Sequence, residues 1–193
     1  PLISAFLSHE NLAFRAASTR AIGNFHNADI QSSLENRLND SEEFIQLDAA
    51  CSLSYFSNQK ALKILINKYK HQDTFRRREI AEALSNYDNQ SSKQTLINLA
   101  MDEDELVRVE AIKSLGTFED KQLTRFITKK LQDSSKDVRS ASATILGELR
   151  EEFVTPNLVK ALYDEDFDVR SSAARALGKI GNEQCAIALI QYL

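Results

Sequence analysis

The chain has 193 residues, 42% of them hydrophobic and 27% charged, with two prolines, five glycines, no tryptophan and a formal net charge of −4. That composition fits an ordered, soluble, helical chain, and it contains neither an apolar run near the roughly 18 to 20 residues that span a bilayer nor an opening signal-peptide pattern. The acidic balance weighs against a nucleic-acid partner, because duplex binding relies on several Lys or Arg neutralising phosphates.

The predicted elements repeat along the chain. An arginine recurs every thirty-one residues, at Arg15, Arg77, Arg108, Arg139 and Arg170, with Gln46 in the remaining slot. A fixed period between 20 and 50 residues marks a solenoid, in which each unit buries its apolar face by stacking on its neighbours. The units run approximately 1–27, 28–58, 59–89, 90–120, 121–151 and 152–182, with a partial seventh over 183–193. Each reads as two short helices joined by a polar turn.

The first helix of each unit carries one column of the apolar stripe, at Ile3, Leu34, Leu65, Leu96, Ile127 and Leu158. Pro1 and Pro156 sit at first-turn positions, where the missing amide proton costs nothing, and Thr155 is the expected cap beside Pro156. The turn residues Asn11, Glu42, Asp73, Asp104, Ser135 and Asp166 precede the second helix, and five of the six are favoured N-caps. The second helix has an apolar residue just before the slot (Phe14, Ile45, Val107, Val138, Val169), a column that Arg76 breaks. There Phe75 is expected to supply the packing, and Arg76 either turns outward to bind an acidic group or, the reading favoured here, packs its stem while its charge reaches solvent. Two further apolar columns follow seven and ten residues after the slot: Ile22, Leu53, Leu84, Leu115, Leu146 and Leu177, then Phe25, Phe56, Tyr87, Phe118, Leu149 and Ile180. Between them runs a column of small residues (Gly23, Ser54, Ser85, Gly116, Gly147, Gly178), which predicts close approach of another helix, since a helix-interior glycine costs roughly 1 kcal/mol against alanine.

The stretch Leu158 to Ile180, with Asp164, Asp166, Asp168-Val169-Arg170, Ala173-Ala174 and Ala176-Leu177-Gly178, closely resembles the short HEAT-like repeat, also called the phycobilisome-lyase type. Leu131 to Leu149 and Leu99 to Phe118 resemble it well, and the second copy least, because Gln46 replaces the arginine. The resemblance implies an all-α, right-handed superhelical stack of six hairpins plus a partial seventh. It implies function only broadly, since such families include scaffolds, chaperone-like lyase subunits and a few enzymes. The interrupted repeats at both ends, Leu189 and Leu193 included, lead us to expect a single domain cut from a longer array.

Catalytic and metal-binding signals are weak. Asp164, Asp166 and Asp168 imitate the start of a calcium loop, but Val169 and Arg175 stand where the required glycine and glutamate would be. His9-Glu10 resembles the iron-binding dipeptide of deoxyhypusine hydroxylases, yet one copy builds no site, and Gln72 follows His71; His26 stands alone. Cys51 and Cys185 have neither metal spacing nor a diagnostic histidine, and read as free thiols in a reducing, cytoplasmic setting. No catalytic residue, cofactor or metal is expected. Asp40, Asp102, Asp133 and Asp164, each six residues before a slot, are expected to form a structural ladder with the repeat arginines.

The positions one, five and nine after the slot share a face of the second helix, the surface that HEAT-like proteins use most often for binding. There the second copy differs, presenting Leu47, Cys51 and Tyr55, with Arg20, Arg78 and Lys113 around them. The stripe is either an anchor for a partner protein or peptide or, with the helix rotated, part of the core. The expected function is a non-catalytic protein-interaction scaffold. A lyase-associated or chaperone-like subunit is the alternative, and a nucleic-acid binder a more distant one.

Overall fold

A computed structural model describes residues 7, 9–23, 25 and 28–192. Pro1, Ile3, Asn24, His26 and Leu193 lie outside the described residues. Among those described are twelve α-helices: α1 (Leu12–Gly23), α2 (Ala28–Arg37), α3 (Glu43–Leu53), α4 (Gln59–Lys68), α5 (Thr74–Leu84), α6 (Gln90–Leu99), α7 (Glu105–Leu115), α8 (Lys121–Lys129), α9 (Lys136–Leu149), α10 (Thr155–Ala161), α11 (Phe167–Ile180) and α12 (Glu183–Tyr192). Odd-numbered helices from α1 to α11 carry the repeat slots, and the even-numbered ones are the first helices of their copies.

The helices group into two compact units, residues 1–95 and 96–193, the division falling within α6. In the first unit, α1 packs on α3 and α3 on α5, while α2 and α4 also pack against α3. In the second, α7 packs on α9 and α9 on α11, with α8 against α9, α10 against α11, and α12 against both α10 and α11. A helix of ten residues is marginal in water by itself, so burial against neighbours sustains each one. Leu34, Leu65, Ile127 and Leu158 of the first helices are buried completely, as are Leu53, Leu84, Leu115, Leu146 and Leu177 of the second. Full burial of such a side chain contributes roughly 1.5 to 3 kcal/mol.

Local chemistry fixes where the second helices begin. Asn11 Oδ1 accepts from the Phe14 N–H at 3.1 Å, Asp73 from Arg76 at 2.8 Å, Asp104 from Leu106 at 2.9 Å, Ser135 from Asp137 at 3.3 Å and Asp166 from Asp168 at 2.9 Å. Each cap contributes about 1 kcal/mol. Glu42, with its longer side chain, makes no cap bond. Thr155 is not the cap expected of it. Helix α10 already includes it, and its buried hydroxyl lies 3.7 Å from Cys185 Sγ and accepts from Asn182 Nδ2 at 3.5 Å, because α12 packs against α10.

The small-residue column marks close helix approach at three glycines. A Cβ on Gly23 would lie 2.7 Å from Ser52 Cβ, one on Gly116 2.4 Å from Ile145 Cγ2, and one on Gly147 2.5 Å from Ala176 Cα. In each case the obstacle stands twenty-nine residues later, on the slot-bearing helix of the next copy. Gly178 departs from the expectation, with nothing within 4 Å. Phe14 and Phe25, although in apolar columns, are exposed rather than core.

Candidate functional site

Arg15, Arg108 and Arg139 stitch neighbouring copies together. Arg15 Nε donates to Asp40 Oδ2 at 3.0 Å, Arg108 Nη2 to Asp133 Oδ1 at 2.8 Å and Arg139 Nε to Asp164 Oδ2 at 2.8 Å, every pair twenty-five residues apart. The same guanidinium groups reach back to their own turns, Arg108 to the carbonyl oxygens of Asp102 and Glu103 and Arg139 to those of Asp133 and Ser134. Arg77 donates to the Gln72 carbonyl at 2.7 Å and Arg170 to those of Asp164 and Glu165.

Burial alone would raise the Asp40 carboxyl, but the Glu42 N–H and the Arg15 and Arg37 side chains outweigh it and hold the pKa below the ordinary value. Asp133 is lowered against its burial by the Arg108 hydrogen bond, the Ser135 N–H and Lys130, and Asp164 by Arg139, the Asp166 N–H and Arg170. These groups are mortar between neighbouring copies within each unit.

The second copy is built differently. Gln46 bonds only its own turn, Nε2 to Asp40 O at 2.6 Å, and the residue twenty-five further on is His71 instead of an aspartate. Two other ties stand in. Glu43 takes Lys68 Nζ at 3.1 Å and Gln72 Nε2 at 2.8 Å. Deeper in the unit, Asp48 on α3 is 4% exposed and is held by two arginines. Arg20 of α1 donates through Nε to both carboxylate oxygens at 3.1 Å, and Arg76 of α5 donates through Nη1 at 2.5 Å. Arg76 also bonds Glu79 at 2.7 Å.

This corrects the reading of Arg76. Its charge does not reach solvent; the residue is buried, and Phe75 is the exposed one. A carboxylate within reach in the preceding copy lets the guanidinium occupy an apolar column without being left unpaired. Burial alone would lower the Arg76 pKa, but Asp48 and then Glu79 raise it.

Above this network α1, α3 and α5 leave a cleft of about 340 Å³, lined by Arg20, Asp48, Cys51, Tyr55, Glu79 and Glu82 among others. Leu47 is not part of it. At 1% exposure it is core, because the position one after the slot turns toward the helix interface and a leucine there fills it. Cys51 is half-buried on the cleft wall, and Tyr55, 57% exposed, stands at its rim. The stripe expected on one face thus divides among core, wall and rim. Burial pushes the Cys51 thiol up to about 12, reinforced by Glu79, Asp48 and Glu82 against the opposing charge of Arg76. That is an inert thiol, not a nucleophile. Arg20 lines the cleft, whereas Arg78 lies beside it, half-buried, with Nε unpaired.

Lys113 belongs to the second unit. There α7, α9 and α11 border a groove of about 580 Å³ lined by Lys113, Ser140, Thr144, Glu148, Ser172 and Arg175 among others. Ser140 and Ser172 share a hydrogen bond at 2.9 Å, and Lys179 pairs with Glu148 at 3.5 Å. Sequence reasoning missed Asp48 and Glu79. The available signal was a pair of opposite charges in adjacent copies, Asp48 within the apolar run Leu47 to Ala50 and Arg76 in an apolar column. Among the described residues no group of three or more His, Cys, Asp or Glu has metal-holding geometry, and no helix is long and apolar enough to cross a membrane.

A search of curated proteins returned no match. Among solved structures, an engineered protein superposes with TM-score 0.64 at 16% identity, over 93% of this chain and 95% of the other. The complex of CpcE and CpcF of phycocyanin lyase from Nostoc sp. PCC7120 gives 0.62 at 23% identity, over 97% and 79%. A designed armadillo repeat protein in complex with the peptide (KR)4 gives 0.63 at 16% identity, over 94% and 99%. At such identities the likeness establishes the fold, a repeat solenoid of the kind typical of protein-interaction scaffolds. A family model for HEAT repeats matches residues 1–85, 66–129 and 124–193. With its thirty-one-residue register and hairpin order, the chain belongs to the HEAT-repeat family.

Proposed function

We propose that the chain is a non-catalytic scaffold that binds an extended segment of a partner protein along its slot-bearing helices. One observation carries this reading. In both units the residues five positions after the slot, Arg20, Cys51 and Glu82 in the first and Lys113, Thr144 and Arg175 in the second, line a cleft or groove instead of a flat face, joined by Tyr55 and Glu148 from nine positions after it. Clefts between rigid helices present many modest contacts to a segment already extended, and little of the binding energy is then spent on ordering the scaffold. Peptide binding by a designed protein of similar fold lends support. The lyase-associated alternative rests on likeness of repeat type and fold, and draws on no residue of the cleft or the groove.

The test is selection of peptides from a displayed random library against the folded chain, with affinities measured by fluorescence anisotropy. Enriched peptides should weaken at least several-fold when Tyr55→Ala or Thr144→Lys is introduced into a chain that still melts normally. A library without enriched peptides, or peptides indifferent to both substitutions, would sink the scaffold reading at these surfaces.

A further inference from the structure

The cleft of the first unit has a charge balance that selects its occupant. Two guanidinium groups, Arg20 and Arg76, face three carboxylates, Asp48, Glu79 and Glu82. Both arginines are already engaged. Arg20 is held by the two oxygens of Asp48, and Arg76 is shared between Asp48 and Glu79. Glu82 is exposed on the cleft wall, and no hydrogen bond or ion pair of its carboxylate is found. It stands three residues from Glu79 on the same face of α5, where like charges repel, and Arg76 offsets Glu79 alone. Arg78, one turn earlier, makes no ion pair with Glu82 and does not line the cleft. Tyr55, in the short helical turn that follows α3, is exposed and lines the same cleft.

From this arrangement we infer that the cleft bounded by α1, α3 and α5 receives a cationic side chain, lysine or arginine, of the partner segment, paired with Glu82 and Glu79 and lying against the Tyr55 ring. The inference rests on the scaffold reading and supplies the chemistry of one anchor. An ammonium or guanidinium group against a tyrosine face is attracted by the ring quadrupole, and an excess of carboxylates around a cleft raises the local concentration of cations. The field at the Cys51 thiol, where Glu79, Asp48 and Glu82 together oppose Arg76, has the same sign. A carboxylate occupant would face Glu82 directly and would have to displace Asp48 from Arg20.

The anchor can be tested apart from the scaffold. Acetyl-arginine amide, acetyl-lysine amide and acetyl-glutamate amide are titrated into the isotope-labelled chain, and amide shifts are followed by NMR. The two cationic probes should produce saturable shifts centred on Cys51, Tyr55 and Glu82, with apparent affinity falling about two- to five-fold in each of Glu82→Gln and Tyr55→Ala. Both side chains are exposed, so the variants should keep the wild-type melting temperature. Shifts that fail to saturate, equal response to the glutamate probe, or unchanged affinity in Glu82→Gln overturns the inference. Enriched library peptides without a basic residue whose binding ignores Glu82→Gln would overturn it while leaving the scaffold reading in place.

Discussion

Replacing Arg76 with valine restores the apolar column that Val107, Val138 and Val169 occupy in later copies, yet the structure predicts a severe loss. The Asp48 side chain is 2% exposed, and its remaining partner would be Arg20, whose side chain is 53% exposed. A pair with so exposed a partner contributes at most about 1 kcal/mol, while removing one partner of a buried ion pair costs about 3 to 5 kcal/mol. Arg76→Val should therefore lower stability by roughly that amount. Asp48→Ala alone should be similarly harmful, leaving Arg76 buried with only Glu79. The double variant should come within about 1 kcal/mol of wild type, because alanine is the residue at this position in the first and fifth copies (Ala17, Ala141) and a buried pair replaced by apolar groups is often neutral. Urea unfolding followed by circular dichroism measures this, fitted with a nearest-neighbour repeat scheme since arrays need not unfold in one step. A single variant within about 0.5 kcal/mol of wild type, or two losses that simply add, would refute the argument.

Gly147→Ala places a Cβ against the α11 backbone and should cost about 1 to 3 kcal/mol, whereas Gly178→Ala meets open space and should gain up to about 1 kcal/mol; paired thermal melts compare them directly. Leu47→Ala should lose about 2 to 5 kcal/mol of unfolding free energy, while Tyr55→Ala stays within about 0.5 kcal/mol. The carboxyl pKa values of Asp40, Asp133 and Asp164 are lowered in the fold, so their stabilising contribution is complete above the unfolded value near pH 4 and is lost as pH falls through their lower folded values. Asp133→Asn should therefore weaken the chain at pH 7 and flatten its stability between pH 4 and pH 2, as followed by urea midpoints. An unchanged acid slope would remove Asp133 from the ladder.

The periodic features were legible because each copy repeats the same solution. Leu115 and Leu146 are buried for the same reason, and the caps at Asp104 and Asp166 use the same geometry. The cleft was only half legible. Tyr55 and Arg20 follow from the face count, but Leu47 shows that the position one after the slot lies at the border between face and core, where side-chain size decides. Asp48 and Arg76 escaped because each looks like an isolated irregularity in its own copy. Their meaning lies in a contact twenty-eight residues away, and a column-by-column reading compares equivalent positions, never the offset at which neighbouring copies touch.

The Asp48–Arg76 contact also makes the copies non-interchangeable. Arg15, Arg108 and Arg139 each meet an aspartate at the same offset, so copies joined in that way could be duplicated or shuffled with the joint intact. The second copy fits only in front of the third. Placed before the fifth or sixth, its Asp48 would face Val138 or Val169 in place of Arg76. The pair therefore works as an address label written into the interior, fixing the order of two neighbours within the unit that carries the cleft.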